Sequence, residues 1–335
     1  MKSTAVLLIN LGTPDSPSVA DVRAYLSEFL NDARVIDLPW PLRKFLVNLV
    51  IVPFRAPRSA RIYRKLWTEQ GSPIIFHGKR VQGLLQERLG SQFRVELAMR
   101  YGHPSIRDTL EKIRTSNPER IIVLPMFPQY ASASTGSALQ EVMDVIRRWW
   151  VIPEVHMVSQ FWDHPGFIES LVERGKQHDW TQYDHVLMSY HGLPERQVDK
   201  VYAQGICASR NCEREITGEN RFCYKAACYG TSRMLAAGLG IPSSKYTVCF
   251  QSRLGRKWLP PYTDTVIEEL ANTGARKLLV FSPAFVADCL ETTVEISDEY
   301  QALFKKYGGE KLQLVESLND HPRWIATLEE LVRSC

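Results

Sequence analysis

The chain has 335 residues, which suggests about two domains rather than one core. With 44% apolar and 23% charged residues it has the composition of an ordinary soluble globular protein, not of a membrane or disordered chain. A net charge of +4 with no long basic run argues against nucleic acid as a partner.

The opening MKSTAVLLINLGTP carries one lysine and is interrupted by Asn10 and Gly12, too soon for a secretory signal. It reads as a first strand, Ala5–Asn10, and the protein as cytoplasmic. A helix over Ala20–Leu30 follows. The most apolar run, FLVNLVIVPF at 45–54, is well short of the ~20 residues a spanning helix requires. Flanked by Arg43, Lys44 and Arg55, the segment 38–55 suits either a lip resting on the inner face of a membrane or a buried helix. Further strands are expected at Arg94–Ala98, Ile121–Leu124, His156–Ser159, His185–Ser189, Tyr246–Phe250, Leu278–Val280 and Leu312–Val315. Between them lie helical patterns at Arg58–Trp67, Gly78–Leu89, Ser105–Arg114, Gly136–Trp150, Pro165–Lys176, Gly230–Leu239 and Thr263–Asn272. Strands alternating with helices imply an α/β protein with parallel sheets covered on both faces.

A weak repeat divides the chain. LLINLGTPDSP (7–17) echoes LMSYHGLPERQ (187–197), and RIIVLPMFPQYASASTG (120–136) echoes RKLLVFSPAFVADCLETT (276–293). The expectation is two Rossmann-like domains, 1–160 and 161–335, whose sheets face a central cleft. A Cys-rich insert at 203–229 belongs to the second, and the C-terminal helix is free to pack back on the first.

Three groups of residues could carry chemistry. In KLLVFSPAFVADCLETTVEISDE (277–299), Ser282 and Pro283 break a buried strand and Asp288 offers an N-cap for a helix. On that helix Glu291, Glu295 and Glu299 fall at i, i+4 and i+8, an acidic stripe that is slightly costly unless a cation sits on it. A solvated outer face is the plain alternative; the position just after a buried strand favours a site. His191 lies at the end of another strand, before Gly192 and Pro194, where it could exchange protons near neutral pH. Cys207, Cys212, Cys223 and Cys228 form a C-x4-C-x10-C-x4-C set suited to zinc or an iron–sulfur cluster. The insert around them has little core of its own, so a metal would stabilise it. Cys249 and Cys289 read as core and Cys335 is terminal. Arg100, Tyr101, Tyr130 and Trp258 would together suit a flat, apolar, carboxylate-bearing ligand.

The motifs LLINLGTPDSP, GSPI (71–74), RYGHP (100–104), FPQYASASTGS (127–137), SYHGLPER (189–196), CYKAACYGTSRMLAAGLG (223–240), CFQSRLGRKWLPPYTD (249–264) and FSPAFVADCLETTVEI (281–296) occur in order and span roughly residues 5–325. Together they resemble the ferrochelatases. The resemblance implies two Rossmann-like domains around a porphyrin. The implied reaction is ATP-independent insertion of Fe2+ into protoporphyrin IX, giving protohaem in the last step of haem biosynthesis. His191 then matches the catalytic histidine and Glu291 the glutamate facing it across the macrocycle. Glu295, Glu299 and Asp288 match an acidic iron path. Asn10, Leu11, Gly12, Thr13, Arg100, Tyr101, Tyr130 and Trp258 match porphyrin-pocket positions. Cys207, Cys212, Cys223 and Cys228 look like the ligands of the 2Fe–2S cluster carried by some bacterial members. Cys289 stands where many members have histidine, which sets aside a ligand role there.

Other readings remain open at this stage: a coproporphyrin III ferrochelatase, a cobalt chelatase acting on a reduced tetrapyrrole, a metal- or tetrapyrrole-binding protein, or an iron–sulfur carrier. The expected partners are porphyrin and ferrous iron, with the chain either monomeric or homodimeric.

Overall fold

The computed structural model describes residues 4–335. Eight strands form where the sequence puts them: β1 (Thr4–Gly12), β2 (Phe93–Tyr101), β3 (Arg120–Pro125), β4 (Glu154–Met157), β5 (His185–His191), β6 (Tyr246–Gln251), β7 (Lys277–Phe281) and β8 (Lys311–Leu314). β4 is displaced by two residues and β8 by one, both toward the N-terminus. The chain divides into two compact units. One takes residues up to Phe127, Ser132–Gln160 and Ile325–Cys335; the other takes Pro128–Ala131 and Phe161–Trp324.

Each unit has a four-stranded sheet, ordered β2-β1-β3-β4 in the first and β6-β5-β7-β8 in the second. Every neighbouring pair is parallel. The weak sequence repeat is therefore a repeat of topology. Val6, Leu7, Leu8 and Ile9 along β1 are all at most 1% exposed, so both faces of the sheet are covered, as parallel sheets require. In the first unit Leu7, Ile9 and Val123 pack with Leu110, Ile113, Val142 and Val145 from two helices. In the second, Leu187 and Val280 pack with Ile267, Ile296 and Phe304. In either sheet the strand order reverses beside the first strand. That puts the crevice for a ligand outside the carboxyl ends of β1 and β3, and of β5 and β7.

At one such end, Gly12 pairs with Tyr101 at a φ of +120°, and a Cβ built there would sit 1.8 Å from the Tyr101 carbonyl oxygen. Glycine is what lets the ends of β1 and β2 meet.

The helices expected at Gly78–Leu89 and Gly136–Trp150 run Pro73–Leu89 and Ser137–Ile146, and two others differ from expectation more. The one expected from Arg58 begins at Trp40 and runs through a π-helical turn, Leu46–Ile51, to Leu66. Pro53 and Pro57 argue for a break in the sequence, yet Pro53 falls where the π-helical turn gives way to the next α-helical stretch. Burial of Val47, Val52, Ala56, Ala60 and Tyr63 along one side carries the helix past Pro57. The other side leaves Trp40, Leu42, Phe45, Leu49, Val50 and Phe54 in solvent, Phe54 at 80%. Arg43, expected as a basic flank to this run, is instead buried and donates to the Leu38 carbonyl at 2.7 Å. No described helix is long and apolar enough to cross a membrane. The second difference is the helix expected from Gly230, which begins at Tyr224 inside the Cys-rich insert.

Candidate functional site

β5 delivers His191 at its carboxyl end, and three contacts fix the turn that follows. His191 Nδ1 is 2.6 Å from the Gly192 carbonyl oxygen. A carbonyl only accepts, so in the neutral ring Nδ1 carries the proton and Nε2 keeps its lone pair. The Gly192 amide donates to the Gln251 carbonyl at 2.8 Å, and the Tyr224 hydroxyl donates to the His191 carbonyl at 3.0 Å. A Cβ on Gly192 would meet the Gln251 oxygen at 2.7 Å and the Trp258 ring at 3.2 Å. Trp258 is half-buried and pairs through its backbone with Pro194, so the expected pocket residue does adjoin the histidine loop.

The acidic segment follows β7. It is a π-helix over Glu291–Tyr300 rather than the α-helix expected, with bonds of the i→i+5 type. Glu291 and Glu295 are half-buried and Glu299 is exposed, so the acids run from the interior to solvent. Asp288 does not cap the helix backbone. Its carboxylate takes the Asn319 side-chain amide at 2.8 Å and the Thr292 hydroxyl at 3.4 Å, because Asn319 also binds the Asp288 amide and holds the residue sideways. Glu295 accepts from Ser252 N at 2.8 Å, Ser252 Oγ at 2.5 Å, Gln251 Nε2 at 3.1 Å and Tyr300 Oη at 2.9 Å. Gln251 Nε2 also donates to the Glu291 carbonyl at 3.0 Å. Cys289 is buried, and burial first, then the neighbouring Glu291 charge, pushes its thiol well up.

Cys207, Cys212 and Cys223 are buried with their sulfurs all within 4.8 Å of one another. The Cys207 thiol bonds Cys223 at 3.6 Å, which raises its own pKa and brings Cys223 down to about 6. The direction of that shift favours the thiolate at Cys223, the form in which cysteine binds metal. The Tyr202 hydroxyl lies 3.0 Å from Cys212 Sγ, and Asp199 accepts from the Cys207 amide at 2.8 Å. Cys228, expected as the fourth member, stands outside this group. Five residues along a helix turn it about 140° away from Cys223, and its fully buried thiol lies beside Tyr224 and Tyr190.

In the first unit, Tyr101 is fully buried and its hydroxyl lies 2.9 Å from Asp32 Oδ2 and 3.1 Å from Ser137 Oγ. A side chain with no exposed surface cannot line a pocket, which corrects its expected contact with ligand. Arg100 is paired with the same Asp32 at 2.8 Å and lies over the Tyr101 ring. Burial opposes ionisation of Asp32. Bonds from Ser137, the Arg34 amide and Tyr101, with the Arg100 charge, outweigh it and hold the carboxyl below its usual range. Asn10 and Thr13 are buried, Thr13 accepting from Ser72 Oγ at 3.0 Å, while Leu11 and Gly12 are partly open. In the second unit, half-buried Tyr130 packs edge-on against Phe222, beside the cysteine group. Sequence reasoning missed Asp32, Tyr224, Gln251 and Asn319. Gln251 had one available signal, its place at the end of the strand that pairs with β5.

Comparison with known proteins adds a family. A ferrochelatase family model matches residues 3–335. A ferrochelatase of Coxiella burnetii (strain Dugway 5J108-111) is 44% identical over 98% of this chain and 92% of its own length. One from Pseudomonas fluorescens (strain Pf0-1) is 42% identical over 99% and 98%. Among solved structures, SirB from Bacillus subtilis with Fe3+ superposes with a TM-score of 0.56 at 12% identity, covering 99% of this chain and 95% of that one. That likeness is one of fold.

Proposed function

The chain belongs to the ferrochelatase family, and we propose on that footing that it inserts Fe2+ into protoporphyrin IX to give protohaem, without ATP. The observation that carries the reading is local. His191 ends β5 at the point where strand order reverses, with Nδ1 engaged and Nε2 left basic, and the acidic segment leaves the neighbouring strand β7.

Metallation replaces two pyrrole N–H protons with one Fe2+ that must shed its water. His191 Nε2 accepts protons from one face of the macrocycle; Glu291 assists metal delivery or proton removal on the other. Imidazole and carboxylate hold Fe2+ weakly enough to release it. A planar porphyrin hides its nitrogen lone pairs, so the pocket holds the ring bent, strain supplied by binding. Asp288 and Glu299 extend the iron path. Asn10–Thr13, Arg100, Tyr130 and Trp258 contribute to the porphyrin pocket. For Arg100 the support is a guanidinium oriented by Asp32 and Ser137; for Trp258 it is the contact with the His191 turn. Tyr101 serves by packing beneath Arg100.

The test is an anaerobic reaction of the purified protein with Fe2+ and protoporphyrin IX. The free-base porphyrin spectrum should convert to that of haem. Turnover of coproporphyrin III alone would move the enzyme to that branch, and turnover of neither would leave a binding protein.

Three buried cysteines, the Cys223 thiol held down by its bond from Cys207, form a donor set that fits a soft metal centre. In this reading Cys207, Cys212 and Cys223, completed by Cys228, hold a 2Fe–2S cluster. When bound, such a centre supplies one-electron redox chemistry. The cytoplasmic protein rests peripherally on the membrane through the apolar row from Trp40 to Phe54, with Arg55 and Arg58 exposed beside it. A Phe45→Asp/Phe54→Asp variant should bind anionic phospholipid vesicles about tenfold or more weakly in a sedimentation assay. Equal binding would remove the lip from that role.

A further inference from the structure

Glu295 is where the resemblance would place a carboxylate handing iron along the helix, yet its surroundings suit a different task. An ionised carboxylate has two oxygens and about four lone-pair sites. On Glu295 all four are taken: Oε1 by the Ser252 amide and the Tyr300 hydroxyl, Oε2 by Ser252 Oγ and Gln251 Nε2. Every donor is neutral. Burial, then the Glu295 charge, pushes the Tyr300 hydroxyl well up, so it stays protonated and donating. A cation bound at this carboxylate would have to displace at least one of these donors.

We propose that Glu295 is a positioning residue rather than an iron ligand, and that with Gln251 it ties the Glu291 helix to the His191 turn.

Gln251 makes the connection. It is 1% exposed and pairs in register with His191 across β5 and β6. Its carbonyl accepts from the Gly192 amide, and its Oε1 accepts from Ser189 Oγ at 2.8 Å. Its Nε2 reaches the Glu291 carbonyl and the Glu295 carboxylate together. One peptide and one side chain thus span from the residue after His191 to the backbone of Glu291. Ser252, next in the chain, has a φ of +61°, a left-handed conformation that a serine rarely adopts. Both its amide and its hydroxyl end on Glu295, which holds it there. The relative placement of proton acceptor and metal-side glutamate is therefore set by this tie, and the iron path uses Glu299 and Glu291 while passing Glu295 by.

The inference rests on the catalytic reading of His191 and Glu291, and the test separates the two. Anaerobic steady-state kinetics would be run on Glu295→Gln and Ser252→Ala, varying Fe2+ and protoporphyrin separately, with porphyrin affinity read by fluorescence quenching. Glu295→Gln turns an amide toward two donors. Its kcat should fall about tenfold to a hundredfold, the loss typical of slight misplacement, while the iron KM and porphyrin affinity stay within about twofold. Ser252→Ala removes one bond and should lower kcat in the same sense by less. It decides the matter if Glu295→Gln does not fold. An iron KM raised severalfold at unchanged kcat in Glu295→Gln would make Glu295 a metal ligand and overturn the proposal. So would an unchanged kcat in both variants. Retained activity in His191→Ala, measured in parallel, would instead overturn the catalytic assignment itself.

Discussion

His191→Ala should lose iron insertion by about two to four orders of magnitude, the range for removing a general base, and still bind porphyrin. The imidazole bonds the Gly192 carbonyl of its own turn. That turn is separately held by the Gly192–Gln251 and Tyr224–His191 bonds, whose atoms belong to the backbone at positions 191 and 192 and survive the substitution. The melting temperature should therefore stay close to that of the parent. The measurement pairs anaerobic conversion of protoporphyrin with fluorescence quenching by bound porphyrin. Turnover near the parent rate would show that another group accepts the protons. Loss of porphyrin binding together with folding would return His191 to a structural role.

Cys223→Ser should remove the metal centre. Cys223 is the member whose thiol is brought down to about 6, and it begins the helix that also carries Tyr224. Iron and acid-labile sulfide should fall to background and the visible absorption of the anaerobic protein should vanish. Limited proteolysis should begin to cut within 203–223, because that stretch holds few large apolar side chains and on the proposed reading takes its order from a metal. Turnover should fall less than in His191→Ala, through a looser Tyr224 bond to the His191 carbonyl. Cys228→Ser is the companion: loss of the same spectrum supports it as fourth ligand. A parent protein holding zinc and no visible absorption would set the 2Fe–2S cluster aside.

The sheets were legible in the sequence because parallel strands buried on both faces write continuous apolar runs, as in VLLIN, IIVLP and KLLVF. His191 was legible for a related reason, since a strand end followed by Gly-Leu-Pro marks a turn whatever folds against it. Three features lay outside such signals. The i→i+5 bonding of Glu291–Tyr300 has no signature in the residue pattern, since the same acids fit an α-helix equally well on paper. Tyr101 sits in a motif that looks like a pocket, and its burial comes from Asp32 and Ser137, 69 and 36 residues away in the chain. Cys228 has the right spacing, yet helix phase points it away from Cys223, and phase depends on the helix starting at Tyr224 rather than Gly230.

The membership of Ile325–Cys335 in the first unit carries a consequence for biosynthesis. Glu329 pairs with Arg88 at 2.7 Å, and the Cys335 carbonyl accepts from Arg120 at 3.1 Å, so the last helix completes a core whose remaining strands end at Met157. On the ribosome, at 5–20 residues per second, the nascent first unit waits roughly ten to thirty seconds for its final piece. During that interval its apolar seat for Leu328, Leu331 and Val332, all buried in the finished protein, stays uncovered. Chaperone occupancy on stalled nascent chains should drop once the C-terminal helix has cleared the exit tunnel, well after the second unit has begun to fold.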